Sequence, residues 1–307
     1  MAPGDVYEVT ADGVTDLHYL DTGMYGTAEY GAVYLLDAER PALVDAGIGT
    51  NYEYVLDAMA EVGIAREDLA VIAPTHVHLD HAGGTGFLAE ACPDAEIVCH
   101  EVGAPHLVDP GRLWEGTKRA VGEQIRFYTE PAPVPEERIR EVVDGDVVDL
   151  GDHELVVHHA PGHAPHHCVF EDPANDAVFT ADAAGIYVPS LDTVEPTSPP
   201  PNFDLEQCLD DVDLLERIDP SVLLFAHYGP YEGTDVLDAY REVLTAWVED
   251  IEAELADCDE DETVVELIVE RALDRRALVE TWGEAKVRAE TRMNVQGVLR
   301  YLHGRES

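Results

Sequence analysis

The decapeptide THVHLDHAGG, residues 75–84, places three histidines and an aspartate within six positions, followed by two glycines. Imidazole and carboxylate are borderline-to-hard ligands that suit zinc, iron or manganese. Strand side chains repeat every two residues, so at a strand end His76 and His78 point the same way. Asp80 and His81 follow once the chain has turned, and can face a second point nearby. The run therefore offers two incomplete ligand pairs, and each needs partners from elsewhere. A solvated turn rarely needs three imidazoles.

Three further candidates end short apolar runs. His163 lies behind a Pro-Gly turn in HHAPGHAPHH, Asp182 closes AVFTAD, and His227 closes SVLLFAH. Each alone has a plain reading, as a turn residue, a strand-end cap or a buried histidine. Four strand ends converging on one edge of a sheet sandwich would give the geometry of a binuclear site. His158, His159, His166 and His167 read as structural or supporting groups, and His100 and His106 as partly exposed. Tyr187, five residues after Asp182, and Tyr228, directly after His227, are candidates for substrate contact, with core or rim packing as the alternative.

The elements that must position these groups follow from periodicity. AVYLLDA (32–38) and ALVDA (42–46) read as strands joined by a hairpin at ERP. NYEYVLDAMAEVG (51–63) has helical spacing, with Asn51 as N-cap and Gly63 as stop. LAVIAPT (69–75) is a buried strand running into the motif, GTGFLAEAC (84–92) the next helix, and EIVCH (96–100) another strand. Residues 101–128 read as mostly helical with a break at VDPGR. Between Ile139 and Thr180 come IREVV, DVVDL, ELVVHHA, HCVFED and AVFTAD, punctuated by turn residues. Residues 194–204 form a proline-rich loop, 204–218 an amphipathic helix, and 221–227 the last buried strand. From Glu232 the pattern is helical, with breaks near Asp259 and Gly283. This order predicts two sheets with helices outside them. The stretch 106–128 and the loop 185–203 are placed to cover a cleft and select substrate.

Composition narrows the function classes. Of 307 residues, 64 are acidic and 18 basic, for a net charge of −46, and the acids are spread along the whole chain. With 46% apolar residues the chain is not a disordered acidic tail. Such self-repulsion is relieved at about 1 M salt, where the Debye length falls to about 3 Å. The composition resembles that of proteins from extreme halophiles. The absence of a Lys/Arg stripe argues against a nucleic-acid partner. No apolar run approaches the ~20 residues that span a bilayer, and no secretory signal opens the chain. Cysteines 92, 99, 168, 208 and 258 form no C-x-x-C pair, as expected of a reducing compartment. A cytoplasmic protein acting on a small molecule is the expectation, with a homodimer as one option.

The order HxHxDH, then Pro-Gly-His, then an aspartate after a strand, then a late histidine resembles the metallo-β-lactamase superfamily. Within it the likeness is greatest to glyoxalase II (hydroxyacylglutathione hydrolase)-type metallohydrolases. LVDAGIG (43–49), with Asp45, also matches an early Asp-x-Gly element of that family. The resemblance covers residues 5–230. It implies an α/β fold, an αββα sandwich with the metals at one edge. Residues 1–231 would form the catalytic domain and 232–307 a C-terminal helical extension. It further implies two Zn²⁺, with iron or manganese as alternatives. His76, His78 and His163 would bind the first metal, Asp80, His81 and His227 the second, and Asp182 both. A bridging hydroxide would attack the carbonyl of a small thioester or ester, Asp80 would take up a proton, and Asp45 would hold a ligand imidazole.

The rival readings keep the fold. A persulfide dioxygenase uses one iron and oxygen, and a lactonase differs in leaving group. The nuclease branch would want basic surface. In the flavodiiron branch a glutamate stands where this chain has His78. The C-terminal cations, Arg275, Arg276, Lys286, Arg288 and Arg292, read as a helical cap with acid–base pairs on a solvated face.

Overall fold

The first sheet opens as an antiparallel meander of β1 (Val6–Glu8), β2 (Leu17–Asp21), β3 (Ala32–Leu36) and β4 (Ala42–Val44). It then grows by parallel addition of β5 (Val71–Ala73), β6 (Glu96–His100) and β7 (Ile139–Val142). The crossovers carry α1 (Tyr52–Val62), α2 (Leu79–Ala82), α3 (Thr85–Ala91), α4 (Ala104–Val108), α5 (Gly111–Val121) and a 3-10 stretch at Gly122–Phe127. The second sheet is built from β8 (Val147–Asp149), β9 (Glu154–His159), β10 (Cys168–Asp172) and β11 (Ala177–Ala181). A separate ribbon of β12 (Ile186–Val188) and β13 (Thr193–Glu195) precedes α6 (Leu205–Ile218). Then β14 (Val222–Phe225) joins β11 in parallel, and β15 (Gly229–Glu232) closes the edge. The chain ends in α7 (Asp235–Asp257), α8 (Asp261–Leu273), α9 (Arg276–Trp282) and α10 (Glu284–Arg305). This is a computed structural model, which describes residues 2–258 and 260–305.

The period-2 pattern of the strands divides their side chains between layers. On β3, Tyr34 and Leu36 enter the core between the sheets while Val33 and Leu35 enter the core beneath α1 and α3. On β14, Val222 and Leu224 face the inter-sheet core, whereas Leu223 and Phe225 pack against α6, α7, α8 and α10. Strands buried on both faces read as unbroken apolar runs, which is why these were visible in the sequence. The result is the α/β sandwich expected, with helices on both outer faces and a C-terminal helical region. The C-terminal helices share one apolar cluster with the second sheet, through residues such as Tyr240, Leu244, Val265 and Val298.

Several local expectations change. Residues 185–203 are not all loop, because β12 and β13 pair there. SVLLFAH is the last buried strand, but a further, largely unburied edge strand, Gly229–Glu232, pairs with β14. Both are short, and β15 contains glycine and proline, so pairing made by the hairpin overrides propensity. Asn51 occupies the N-cap position without a side-chain cap bond, and its amide instead donates to the Thr22 carbonyl. The helices flanking the expected break at Asp259 end at Asp257 and start at Asp261, and Asp259 itself lies outside the described residues.

Candidate metal centre

Strands β4 and β5 run parallel, and β9 and β11 share a direction because both are antiparallel to β10. β14 is parallel to β11. Beyond their carboxyl ends stand Asp45, His76, His163, Asp182 and His227, on one edge of the sandwich. The two sheets are tied at this edge by Cys168 N donating to Thr75 O at 2.9 Å. In β11 the register slips between Phe179 and Ala181, and Ala181 has φ 47°. This bulge re-aims the chain just before Asp182. Close backbone approach explains two glycines: a Cβ on Gly84 would lie 2.1 Å from Ala46 O, and one on Gly162 would lie 2.2 Å from Cys208 N of α6.

The side chains form two trios around one carboxylate. His76 Nε2 and His163 Nε2 each lie 3.0 Å from His78 Nδ1. His81 Nε2 lies 3.1 Å from His227 Nε2, and Asp80 Oδ2 lies 3.9 Å from His227 Nε2. Asp182 Oδ2 sits 3.0 Å from His81 Nε2, 3.5 Å from His76 Nε2 and 3.8 Å from His163 Nε2, while Oδ1 lies 3.7 Å from His227 Nε2. One potential ligand atom from each member of His76–His78–His163, and likewise of Asp80–His81–His227, falls within 4.8 Å of the others.

This donor set fits metal cations. Facing ring nitrogens can share at most one proton per pair, whereas convergent lone pairs satisfy a cation. Asp182 Oδ2 is buried without a hydrogen bond of good geometry, and such orphans are costly unless something is coordinated. Imidazole and carboxylate together suit zinc-like ions.

Neighbours fix the rings. Asp45 Oδ2 lies 2.9 Å from His81 Nδ1, and its Oδ1 accepts from Thr75 N and Oγ1, each at 2.8 Å. His227 Nδ1 meets Tyr30 O at 2.9 Å, and Thr75 Oγ1 lies 3.2 Å from His76 Nδ1. His167 also lies within reach of His76 and Asp182. Its Nε2, however, accepts the Asp182 backbone N–H at 3.1 Å, which leaves the ring a supporting role.

The electrostatics are those of cation sites. Burial, together with neighbouring imidazoles, pushes His76 well below the usual histidine range. Burial also lowers His78 and, despite Asp182, takes His163 well down. Burial opposes charge on His81 too, but there Asp182 and Asp45 win and hold its pKa well up. Burial would raise Asp182, yet His163, His81 and His227 keep it well down. A carboxylate that stays ionised among mostly neutral imidazoles is ready for a metal.

A cleft of about 60 Å³ opens on these groups, lined also by Tyr30, Tyr128, Ile186, Pro199 and Glu290. The segments 106–128 and 185–203 do reach it, through Thr117, Val121 and Tyr128 and through Ile186, Thr197 and Pro200. Neither tyrosine singled out in the sequence does. Tyr228, in the turn between β14 and β15, is buried in the inter-sheet core, with its ring edge-on to that of Tyr19. Tyr187 packs on Phe225 and Tyr231 and donates to Asp192 at 3.1 Å, away from the cleft. His158 pairs with Glu171, and His159 stacks on His100 at 4.3 Å between centroids.

The C-terminal cations divide. Arg288 and Arg292 make exposed pairs with Glu284, Glu262 and Glu266, as expected of a solvated face, and Arg275 grips Glu195 of β13. Lys286 is buried instead, beside Glu290 and the rings of Tyr25 and Tyr30. The sequence reading missed these residues and Tyr128. The one available signal was the spacing of Lys286 and Glu290, which also describes an ordinary surface pair.

Comparison with known proteins agrees with this architecture. The chain is 26% identical over 218 residues to the metallo-beta-lactamase fold-containing protein ST1585 of Sulfurisphaera tokodaii, covering 69% of this chain and 78% of that one. It is 28% identical over 159 residues to the human acyl-coenzyme A thioesterase MBLAC2, covering 47% of this chain and about half, 54%, of the relative. The crystal structure of ST1585 from Sulfolobus tokodaii superposes with a TM-score of 0.67 at 21% identity, covering 96% of this chain and all (100%) of that one. The metallo-beta-lactamase superfamily profile matches residues 26–227, a span holding all seven clustered side chains, and the chain belongs to that superfamily.

Proposed function

We propose that the protein is a binuclear, zinc-loaded hydrolase of the glyoxalase II-like kind that cleaves a small thioester or ester. The observation that carries this reading is Asp182, a buried carboxylate standing between two separate ligand trios. In this reading His76, His78 and His163 would hold one cation, Asp80, His81 and His227 the other, and Asp182 would serve both. A pair of bound cations supplies an ionised water near neutral pH and polarises a carbonyl. The chain's own groups do the rest. Asp45 and the Tyr30 carbonyl keep His81 Nε2 and His227 Nε2 directed inward. Asp80, at the cleft wall, accepts a proton from the attacking water. Burial of the ligand edge excludes bulk solvent.

Two observations support the substrate class and a third the ion count. The cleft, about 60 Å³, has room for a small reacting group such as a carbonyl. The human relative is named an acyl-coenzyme A thioesterase. Two trios favour two ions over a single iron. The acidic composition supports work in a cytoplasm of molar salt.

The test is metal content of protein purified in high salt, followed by a panel of thioesters, lactones and phosphodiesters. Two zinc per chain with thioester or ester cleavage is expected. One iron per chain with oxygen uptake on a persulfide, or no cleavage by fully metallated protein, overturns the proposal.

A further inference from the structure

Helix α10 presents a polar stripe of Lys286, Glu290 and Asn294 at four-residue spacing, and all three are buried. Charged residues are seldom buried unless paired, so this stripe calls for a reason beyond anchoring the helix. Lys286 Nζ lies 2.6 Å from Glu290 Oε2 and 3.8 Å from the ring centroids of both Tyr25 and Tyr30. Asn294 Nδ2 donates to Glu290 Oε1 at 3.0 Å, and Asn294 Oδ1 accepts from Ser198 N at 2.6 Å. Lys286 is thus enclosed by aromatic faces and does not line the cleft. Glu290 does line it, as do His78, Asp80 and His81. Tyr30 bridges Lys286 to the metal-binding cluster, its ring centroid 3.8 Å from Lys286 Nζ and 5.2 Å from the centroid of His227.

Outside the metal-binding cluster, Glu290 is the charged side chain among the described cleft-lining residues. Much of the remaining wall, including Ala120, Val121, Ile186 and Met293, is apolar. A carboxylate has about four lone-pair sites, and Lys286, Asn294 and the Tyr30 hydroxyl use three of them, which leaves one for a substrate donor. We propose that Glu290 determines specificity: its fixed carboxylate accepts a hydrogen bond from an N–H or O–H of the substrate and turns away substrates with a carboxylate at that place. The inference rests on the hydrolase reading, and it makes the substrate's inner end neutral or cationic, with a donor.

Three small thiols serve as probes of the zinc-loaded full chain by calorimetry: cysteamine, 2-mercaptoethanol and mercaptoacetate. Their tails end in an ammonium, a hydroxyl and a carboxylate. Wild type should bind the first two at least ~10-fold more tightly than the third. Glu290→Gln keeps the shape and should shrink that gap to ~3-fold or less, whereas Lys286→Gln should preserve or widen it. A purely structural role predicts that both variants behave alike. If Glu290→Gln, which leaves Lys286 unpaired, does not fold, the double variant Lys286→Gln/Glu290→Gln removes both charges and should also lose the gap. An equal gap in wild type and the Glu290 variants, no gap in wild type, or no thiol binding overturns the proposal. Hydrolysis measured on the same preparations separates the two ideas. The expected ordering without hydrolysis retires the hydrolase and keeps the Glu290 role, and hydrolysis with an unaltered ordering does the reverse.

Discussion

Asp45 holds His81 Nδ1 at 2.9 Å with one carboxylate oxygen while the other receives both the backbone N–H and the hydroxyl of Thr75. One side chain thereby orients a ring from the second trio and locks the strand end that leads to His76. Asp45→Asn should therefore weaken the Asp80–His81–His227 site by ~10–100-fold, the usual cost of losing a ligand's supporting carboxylate. Competitive metal titration reads this directly, and two unchanged affinities would show that Asp45 does not support a ligand.

Asp182→Ala should lower kcat by at least ~100-fold and leave fewer than two metals bound. The fold should persist, because the two apolar cores that hold the sheets and helices together are built from other residues. Circular dichroism paired with metal analysis checks both halves. Activity near that of the native chain would remove Asp182 from the ligand set.

Asp211 gives a pH signature in stability. Its Oδ2 accepts Gly162 N at 2.8 Å, and burial pushes its carboxyl up to about 7. A carboxyl with a raised folded-state pKa binds its proton more tightly when folded. Its favourable contribution is therefore full below about pH 4 and is lost as pH rises through about 7. Three units correspond to an upper bound of about 4 kcal/mol. Asp211→Asn retains an acceptor for Gly162 and should raise the melting temperature at pH 8 while changing it little at pH 5. Equal effects at both pH values would contradict the assignment.

With a net charge of −46, the chain should gain stability with salt. Raising KCl from 0.1 M to 2 M screens self-repulsion and should lift the melting temperature by ~10 °C, equivalent to a few kcal/mol. A melting temperature flat across that range would mean the acidic surface is no adaptation to molar salt.

The sequence displayed the ligands because their chemistry is local. HVHLDH, Asp182 and His227 each follow a doubly buried strand, which stands out as an apolar run, and the Pro-Gly-His turn follows the half-exposed β9. The helices α1, α3 and α6 announced themselves by periodicity. The ribbon β12–β13 and the edge strand β15 did not, since three or four residues of mixed character carry too little pattern. For Tyr228 the sequence left substrate contact and core packing open, and burial among the inter-sheet residues decided for the core.

What the residues determined unaided was the kind of chemistry and the order of the elements, since ligand type and strand pattern are written within a few positions of each other. Tertiary structure alone decided that His78 Nδ1 meets His76 and His163, that His167 Nε2 meets the Asp182 backbone N–H, and that Glu290 faces the cleft. Those outcomes depend on which distant surface packs over each side chain. A lysine and a glutamate four residues apart look the same in sequence whether water or a ring of tyrosines lies above them.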